Sequence, residues 1–247
     1  MLERAVRILE VFDADHVAVS VSDIASRANL PLSTASRLVE ELIGHGLLRR
    51  DGNRRIHVGL RLWELASRAS PTRGLRDAAM PFLEDLHAVV GHHVQIGVRQ
   101  NEEVLFIERL SAPGSVINVT RVAGRLPLHV SSSGLVLLAH APVDLQERVA
   151  RGPLRSYTNR TITDGKQLRT VLAEIRRTGS TVCPGFIHPD ATGVAVPLRD
   201  AADHVIGALS VIVPRDDRAA SHIPALLAAA RGIRRQLGTP LMPPIPP

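Results

Sequence analysis

Four neighbouring residues, Ser33, Thr34, Ser36 and Arg37, and a run of arginines at Arg49, Arg50, Arg54, Arg55 and Arg61 relieved only by Asp51 carry the clearest chemistry in this 247-residue chain. A guanidinium such as that of Arg37 can pair bidentately with guanine, and hydroxyls can bond base edges or backbone oxygens. Arg50, Arg54 and Arg55 suit phosphates or a minor groove, where they supply affinity and salt dependence rather than sequence choice. The lesser alternative for Ser33 is a helix cap, a position serine prefers.

Enzyme chemistry has no comparable signal. His92 and His93 are adjacent, so they lack the i,i+4 spacing of a helical metal pair, and no carboxylate completes an HExxH pattern. No G-x-S-x-G elbow, phosphate loop or G-x-G-x-x-G fingerprint occurs. Catalysis, metal and cofactor are therefore not expected. The single cysteine, Cys183, excludes an internal disulfide and a thiolate cluster. A lone thiol is inert packing unless it is exposed with a lowered pKa.

The elements that must position the hydroxyls and arginines read as short helices and tight turns. Leu2, Ala5, Leu9 and Phe12 mark one face of a first helix. After a loop from Asp13 to Val19, Ser22 is placed to cap a short helix carrying Ile24, Ala25 and Ala28, which Asn29, Leu30 and Pro31 end. A second helix runs from about Leu32 or Ser33 to His45. Ala35, Leu38, Val39 and Leu42 form its apolar stripe, and Ser33, Ser36, Arg37 and Glu40 lie opposite. Leu47 and Leu48 enter a short strand, Arg50 to Arg54 turn around Gly52 and Asn53, and Ile56 with Val58 make the return strand. This is a helix-turn-helix followed by a basic two-stranded wing, which can place its second helix in a major groove and its arginines near phosphates.

Net charge alone would point elsewhere. The chain carries +6, but residues 1–90 hold 12 arginines against 12 acidic residues, and the excess lies in 91–247. A small helical module with an arginine-rich hairpin also fits a protein-recruiting unit, so a small-molecule sensor whose N-terminal module captures another protein is the alternative reading. Residues 1–20 lack the charged start, apolar run and cleavage site of a secretory signal, and no run of 18 apolar residues occurs, so a cytoplasmic protein without a membrane span is expected.

Helical periodicity resumes from Gly59 to Arg68, is broken at Pro71 and Gly74, and returns from about Leu75 to Val89. Trp63 in this connector reads as packing more readily than as interface. From residue 91 the pattern is α/β. His93 to Arg99 and Glu103 to Leu110 read as paired strands, Ser115 to Val122 as another, and Ser132 to His140 as a helix. Asp164 to Thr178 is a further helix, Val194 to Leu198 and Val205 to Val213 are late strands, and a closing helix carries Leu226, Ala230, Ile233 and Leu237.

SVSDIASRANLPLSTASRLVEELIGHGLLRR from Ser20 to Arg50, RIHVGLRLWEL from Arg55 to Leu65, GRLPLHVSSSGLVLLA from Gly124 to Ala139, and RTGS at 177–180 followed by GVAVPLRD at 193–200 resemble, in order and spacing, the IclR family of bacterial transcription regulators. His57 stands where that family commonly has an aromatic residue. The resemblance implies a winged helix-turn-helix DNA-binding domain over 1–66, a helical linker over 67–90, a GAF-like α/β effector-binding domain over 91–239 and a flexible tail over 240–247. It also implies a homodimer or tetramer, most often a repressor, that binds double-stranded operator DNA under control of a small metabolite such as a carboxylic or aromatic acid. Polar residues near turns and strand ends of the second domain, Arg125, His129, Ser131, Ser132, Cys183 and His188, are the candidate effector contacts. The chain departs from the family pattern at TVCPGFIHPD, which lacks the usual acidic run, and at Gly193, which occupies a usual cysteine position, so the effector's identity does not carry over.

Overall fold

The computed structural model describes residues 1–13, 15–68 and 72–238. The chain divides into two compact units, Met1–Arg73 and the remainder from Gly74. The expected break at Pro71 and the expected tail at 240–247 lie outside the described residues.

The first unit contains helices α1 (Leu2–Leu9), α2 (Val21–Arg27) and α3 (Leu32–Gly44), strands β1 (Leu48–Arg50) and β2 (Ile56–Val58), and helix α4 (Leu60–Arg68). Ser20 caps α2 by accepting from Asp23 N at 3.1 Å, and Ser22 only shares a hydroxyl contact of 2.8 Å with Ser20, so the expected cap moves by two residues. Along α1 the buried line also differs from the expected one. Ile8 and Val11 are buried, Ala5, Leu9 and Phe12 flank them, and Leu2 is exposed. The stripe of α3 packs as its period requires, with Ala35, Leu38, Val39 and Leu42 all buried. Leu38, Val39 and Leu42 join Ile24, Leu48 and Ile56 in one core, each fully buried aliphatic side chain contributing roughly 1.5–3 kcal/mol. The two strands pair antiparallel with Leu48 opposite Val58 and Arg50 opposite Ile56. Trp63, expected to pack, is 65% exposed on α4, beside an exposed Leu60.

The second unit is a six-stranded antiparallel sheet covered on both faces by helices. Its elements are α5 (Arg73–Val90), β3 (His93–Gln100), β4 (Glu103–Leu110), β5 (Arg125–Pro127), α6 (Ser132–Ala139), α7 (Val143–Arg151), α8 (Gly165–Thr178), β6 (Thr181–Pro184), β7 (Ala191–Arg199), β8 (Val205–Pro214), a 3-10 turn (Ala219–His222) and α9 (Ile223–Gly238). Strand order is β5-β4-β3-β8-β7-β6. Alternation along the strands sorts the core into two clusters. Val94, Ile96, Val194, Val211 and Val213 face α5 and α9, whereas Phe106, Cys183, Ala195 and Ala208 face α6 and α8.

Three differences from the sequence expectation matter here. Gly74 does not break α5, because it falls in the first turn, where the N–H groups have no intrahelical partner and little is lost. β5, β6 and α7 are additional elements, the last opened by Pro142 and carrying Leu145 and Val149 four residues apart. Ser115 to Val122 is a loop and not a strand. Side chains from the sheet hold it instead of a ladder: His93 Nε2 lies 2.6 Å from Val116 O, and the Arg109 guanidinium donates to Thr120 O.

Candidate nucleic-acid interface and effector recess

On α3, Ser33 and Arg37 are exposed and Thr34 and Ser36 are half-buried, all on the side away from the buried stripe. The helix begins at Leu32 with Pro31 at its N-cap, so the Ser33 hydroxyl does not serve as the cap. Arg37 Nη1 lies 3.5 Å from Glu41 Oε2 one turn on, an exposed pair that constrains it little. Arg50 leaves β1 to pair with Glu40 of α3, which ties the wing to the helix.

The wing turn is built by Asp51. Its Oδ1 accepts from Asn53 N and Arg55 N, both at 2.9 Å, and its Oδ2 lies 2.9 Å from His57 Nε2. The His57 contact, followed by the Arg55 N–H, holds this carboxyl below the usual range. Arg54 sits at the turn with φ of 60°, exposed, and forms no ion pair among the described residues. Arg55, in contrast, donates from Nη2 to Ala18 O at 2.8 Å, so its side chain braces the wing against the loop before α2. Sequence reasoning missed Glu40 and Glu41 as partners of Arg50 and Arg37, although the i,i+4 spacing of Glu41 from Arg37 was visible.

In the second unit a recess of about 420 Å³, counting the space open to solvent at its mouth, lies at the N-terminal end of α6. Ser131, Ser132, Cys183 and His188 line it. Arg125 and His129 do not: Arg125 Nη1 lies 3.4 Å from Glu103 Oε2 on the exposed edge, and buried His129 meets Arg155 O through Nε2 at 3.0 Å. Sequence reasoning missed Gln95, Asn118 and Thr120, which also line it. Gln95 Oε1 accepts from Thr120 Oγ1 at 2.6 Å and from Asn118 Nδ2 at 3.2 Å, while Thr120 N donates to Asn118 Oδ1 at 3.0 Å. Gln95 alternates with Val94 and Ile96 on β3, so a polar residue at a core-facing strand position was the available signal.

Polar groups and apolar side chains together define what the recess can hold. Ile117, Val119, Val130, Phe186, Ile187 and Ile212 supply apolar walls, and among the described residues no Asp or Glu lines it. Ser131 caps α6, accepting from Gly134 N at 3.0 Å, and Ser131 and Ser132 bring the N-terminal end of the helix, where the dipole is positive, to the recess. Asp190 N donates to His188 Nδ1 at 3.3 Å, so Nε2 of the neutral ring carries the proton and can donate. Burial pushes the Cys183 thiol up to about 12, so at neutral pH it remains a protonated, weakly polar wall. Gly193 pairs with Cys183 across β6 and β7 and keeps the floor open.

Residues 68–238 match the family model for the bacterial transcriptional regulator IclR C-terminal domain, and residues 1–52 match the IclR helix-turn-helix domain. An IclR homolog from Microbacterium hydrocarbonoxydans, solved in complex with 4-hydroxybenzoate, is 45% identical with a TM-score of 0.93, over 96% of this chain and 98% of that chain. Among curated proteins, the Pca regulon regulatory protein of Pseudomonas putida is 26% identical over 96% of this chain and 83% of its own length. The HTH-type transcriptional repressor AllR of Escherichia coli K12 is 28% identical over 96% of this chain and 90% of its own length.

Proposed function

Because this chain belongs to the IclR family of bacterial transcriptional regulators, whose members bind DNA and are not enzymes, we propose that it is a sequence-specific repressor released or recruited by a small aromatic carboxylic acid of the hydroxybenzoate class. The observation that carries the ligand class is the recess: apolar side walls, a capped helix N-terminus for a carboxylate, and no acidic side chain to repel one. The Gln95, Asn118 and Thr120 group supplies polar partners for a second substituent such as a phenolic hydroxyl. The 45% identical homolog's complex with 4-hydroxybenzoate supports the same class.

In this reading α3 enters the major groove, Arg37 reads a guanine with help from Ser33, Thr34 and Ser36, and Arg50, Arg54 and Arg55 serve the wing's backbone or minor-groove contacts. The effector unit is of the GAF-like type. Exposed apolar side chains on α1 and α4, Leu2, Leu60 and Trp63, favour a homodimer, or a tetramer of two dimers, because a second copy would cover them. Repression is the direction that the name of the Escherichia coli relative supports, and action on DNA places the protein in the cytoplasm. The test is footprinting of the full chain on its own upstream DNA at physiological salt, with and without 4-hydroxybenzoate. A protected inverted repeat that responds to the acid is expected. Absence of protection across an unbiased set of genomic fragments refutes the regulator, and protection indifferent to aromatic acids refutes the ligand class.

A further inference from the structure

The face of the sheet opposite the effector recess carries a second hollow, of about 830 Å³ with its open mouth, whose lining includes Arg160, Pro184, Thr192, Arg215, Asp216 and Asp217. Arg160 and Arg215 come from distant parts of the chain yet converge on one point. A β-carbon added to Gly185 would lie 3.0 Å from Arg160 Cδ and 3.4 Å from Arg215 Nη1. Gly185 has φ of +73°, a conformation in which glycine leaves that space empty for the two side chains.

Neither guanidinium forms an ion pair among the described residues, although two aspartates share the rim. Asp216 Oδ1 is occupied by the Arg218 N–H at 2.9 Å. Arginine stays charged at any physiological pH, so an anion lying between the two side chains would be attracted by both. Beside them Thr192, 1% exposed, has a hydroxyl with no hydrogen-bond partner among the described residues. A buried hydroxyl left unpaired is costly and rare. Two convergent forks and one unused O–H donor match a tetrahedral oxyanion better than a planar carboxylate, because a phosphate group offers several strong acceptor oxygens and close to two charges.

We propose that Arg160, Arg215 and Thr192 form a second ligand site, for the phosphate group of a small anion. It is distinct from the effector recess and does not depend on the acid proposed there. The two sites share a loop. Residues 185–190 separate them, with Phe186 and His188 lining the recess and Gly185 beneath the arginines. Thr158 Oγ1 and Thr161 Oγ1 anchor that loop by donating to Gly185 O and Phe186 O, each at 2.6 Å. An anion held by Arg160 and Arg215 would brace it from outside.

The test is calorimetric titration of the full chain with inorganic phosphate and, separately, with glycerol phosphate, at constant ionic strength maintained with chloride. Saturable binding of one phosphate per chain is expected, weakened about tenfold or more by Arg160→Gln or Arg215→Gln, because each removes a charge-assisted contact. Both arginines are exposed, so these variants should fold, and thermal melts check that they do. Thr192→Val, close in volume, should weaken binding less. Tighter binding of the ester identifies a phosphorylated metabolite as the source, and tighter binding of inorganic phosphate identifies the free ion. Absence of saturable binding of either compound, or isotherms unchanged in both arginine variants, overturns the proposal.

Discussion

Gly193 on β7 lies directly under Ser132 in the first turn of α6: a β-carbon at 193 would stand 2.7 Å from Ser132 Oγ and 3.3 Å from its Cβ. The close approach lets the strand form the floor of the recess while the helix end looks across it. A side chain at 193 must displace the Ser132 hydroxyl or fill the space an effector would use.

Gly193→Ala is therefore expected to lower stability by about 1–3 kcal/mol, the usual cost of overpacking a core. It should also weaken 4-hydroxybenzoate binding by about tenfold, since each 1.4 kcal/mol is a factor of ten. Thermal melting and calorimetry on the same preparations check both. Unchanged acid affinity in a folded variant would separate Gly193 from the ligand site.

Cys183 should be chemically silent in the folded protein. It is buried, and desolvation raises its thiol to about 12, so almost no thiolate exists near neutral pH. A thiol-reactive dye at pH 8 should label native protein far more slowly than protein unfolded in urea. Equal rates would show that the recess opens readily.

Arg37→Ala should reduce operator affinity by about 1–3 kcal/mol, as expected for loss of a bidentate base contact. Its partner Glu41 is an exposed i,i+4 neighbour at 3.5 Å, a pair worth only about 0.3–0.5 kcal/mol, so the melting temperature should hardly move. Competition binding against scrambled sequence reads the loss of specificity.

At the wing, Arg54 occupies φ of 60° without an ion-pair partner among the described residues. Arg54→Gly should keep or improve stability, because glycine adopts that backbone without strain. It should weaken DNA binding evenly across sequences and reduce the salt dependence by about one unit of slope. A sequence-selective loss would instead make Arg54 a base reader.

Stability of the second unit should fall as the solution is acidified from pH 7 toward pH 5. Burial, the largest cause in each case, holds His93, His129 and His140 below the ordinary imidazole value. In the unfolded chain these rings take up protons near pH 6.5, whereas in the fold they do so only at lower pH. Over that interval the unfolded state binds more protons, so unfolding becomes easier as pH falls through about 6.5, and the trend ends below the folded values. Urea titrations at several pH values measure it. His129→Asn, which removes one of the three groups, should flatten the slope.

The DNA-reading unit was largely legible because its elements are short and each announces itself locally. The stripe of Ala35, Leu38, Val39 and Leu42 and the turn around Gly52 and Asn53 follow from periodicity and turn chemistry within a few residues. Ser115 to Val122 was misread for the converse reason: its alternating apolar residues suit a strand, but His93, Gln95 and Arg109 reach from the sheet to hold the segment as a loop. α1 was placed correctly, yet its buried line is set by the helices it meets, so Ile8 rather than Leu2 is inside.

The sequence by itself determined the order of the elements, the polar face of α3, the basic wing and the capped start of α6, since these depend on residues close together in the chain. Only the tertiary structure decided which polar side chains meet. It brought Gln95 to Thr120 and set Arg160 and Arg215 both beside Gly185, and it carried Arg125 and His129 away from the recess they were expected to share with Ser132. Such convergence is set by strand pairing and by helices crossing a sheet, contacts between residues tens of positions apart. Periodicity assigns a side chain to a face of its own element but carries no information about what lies opposite.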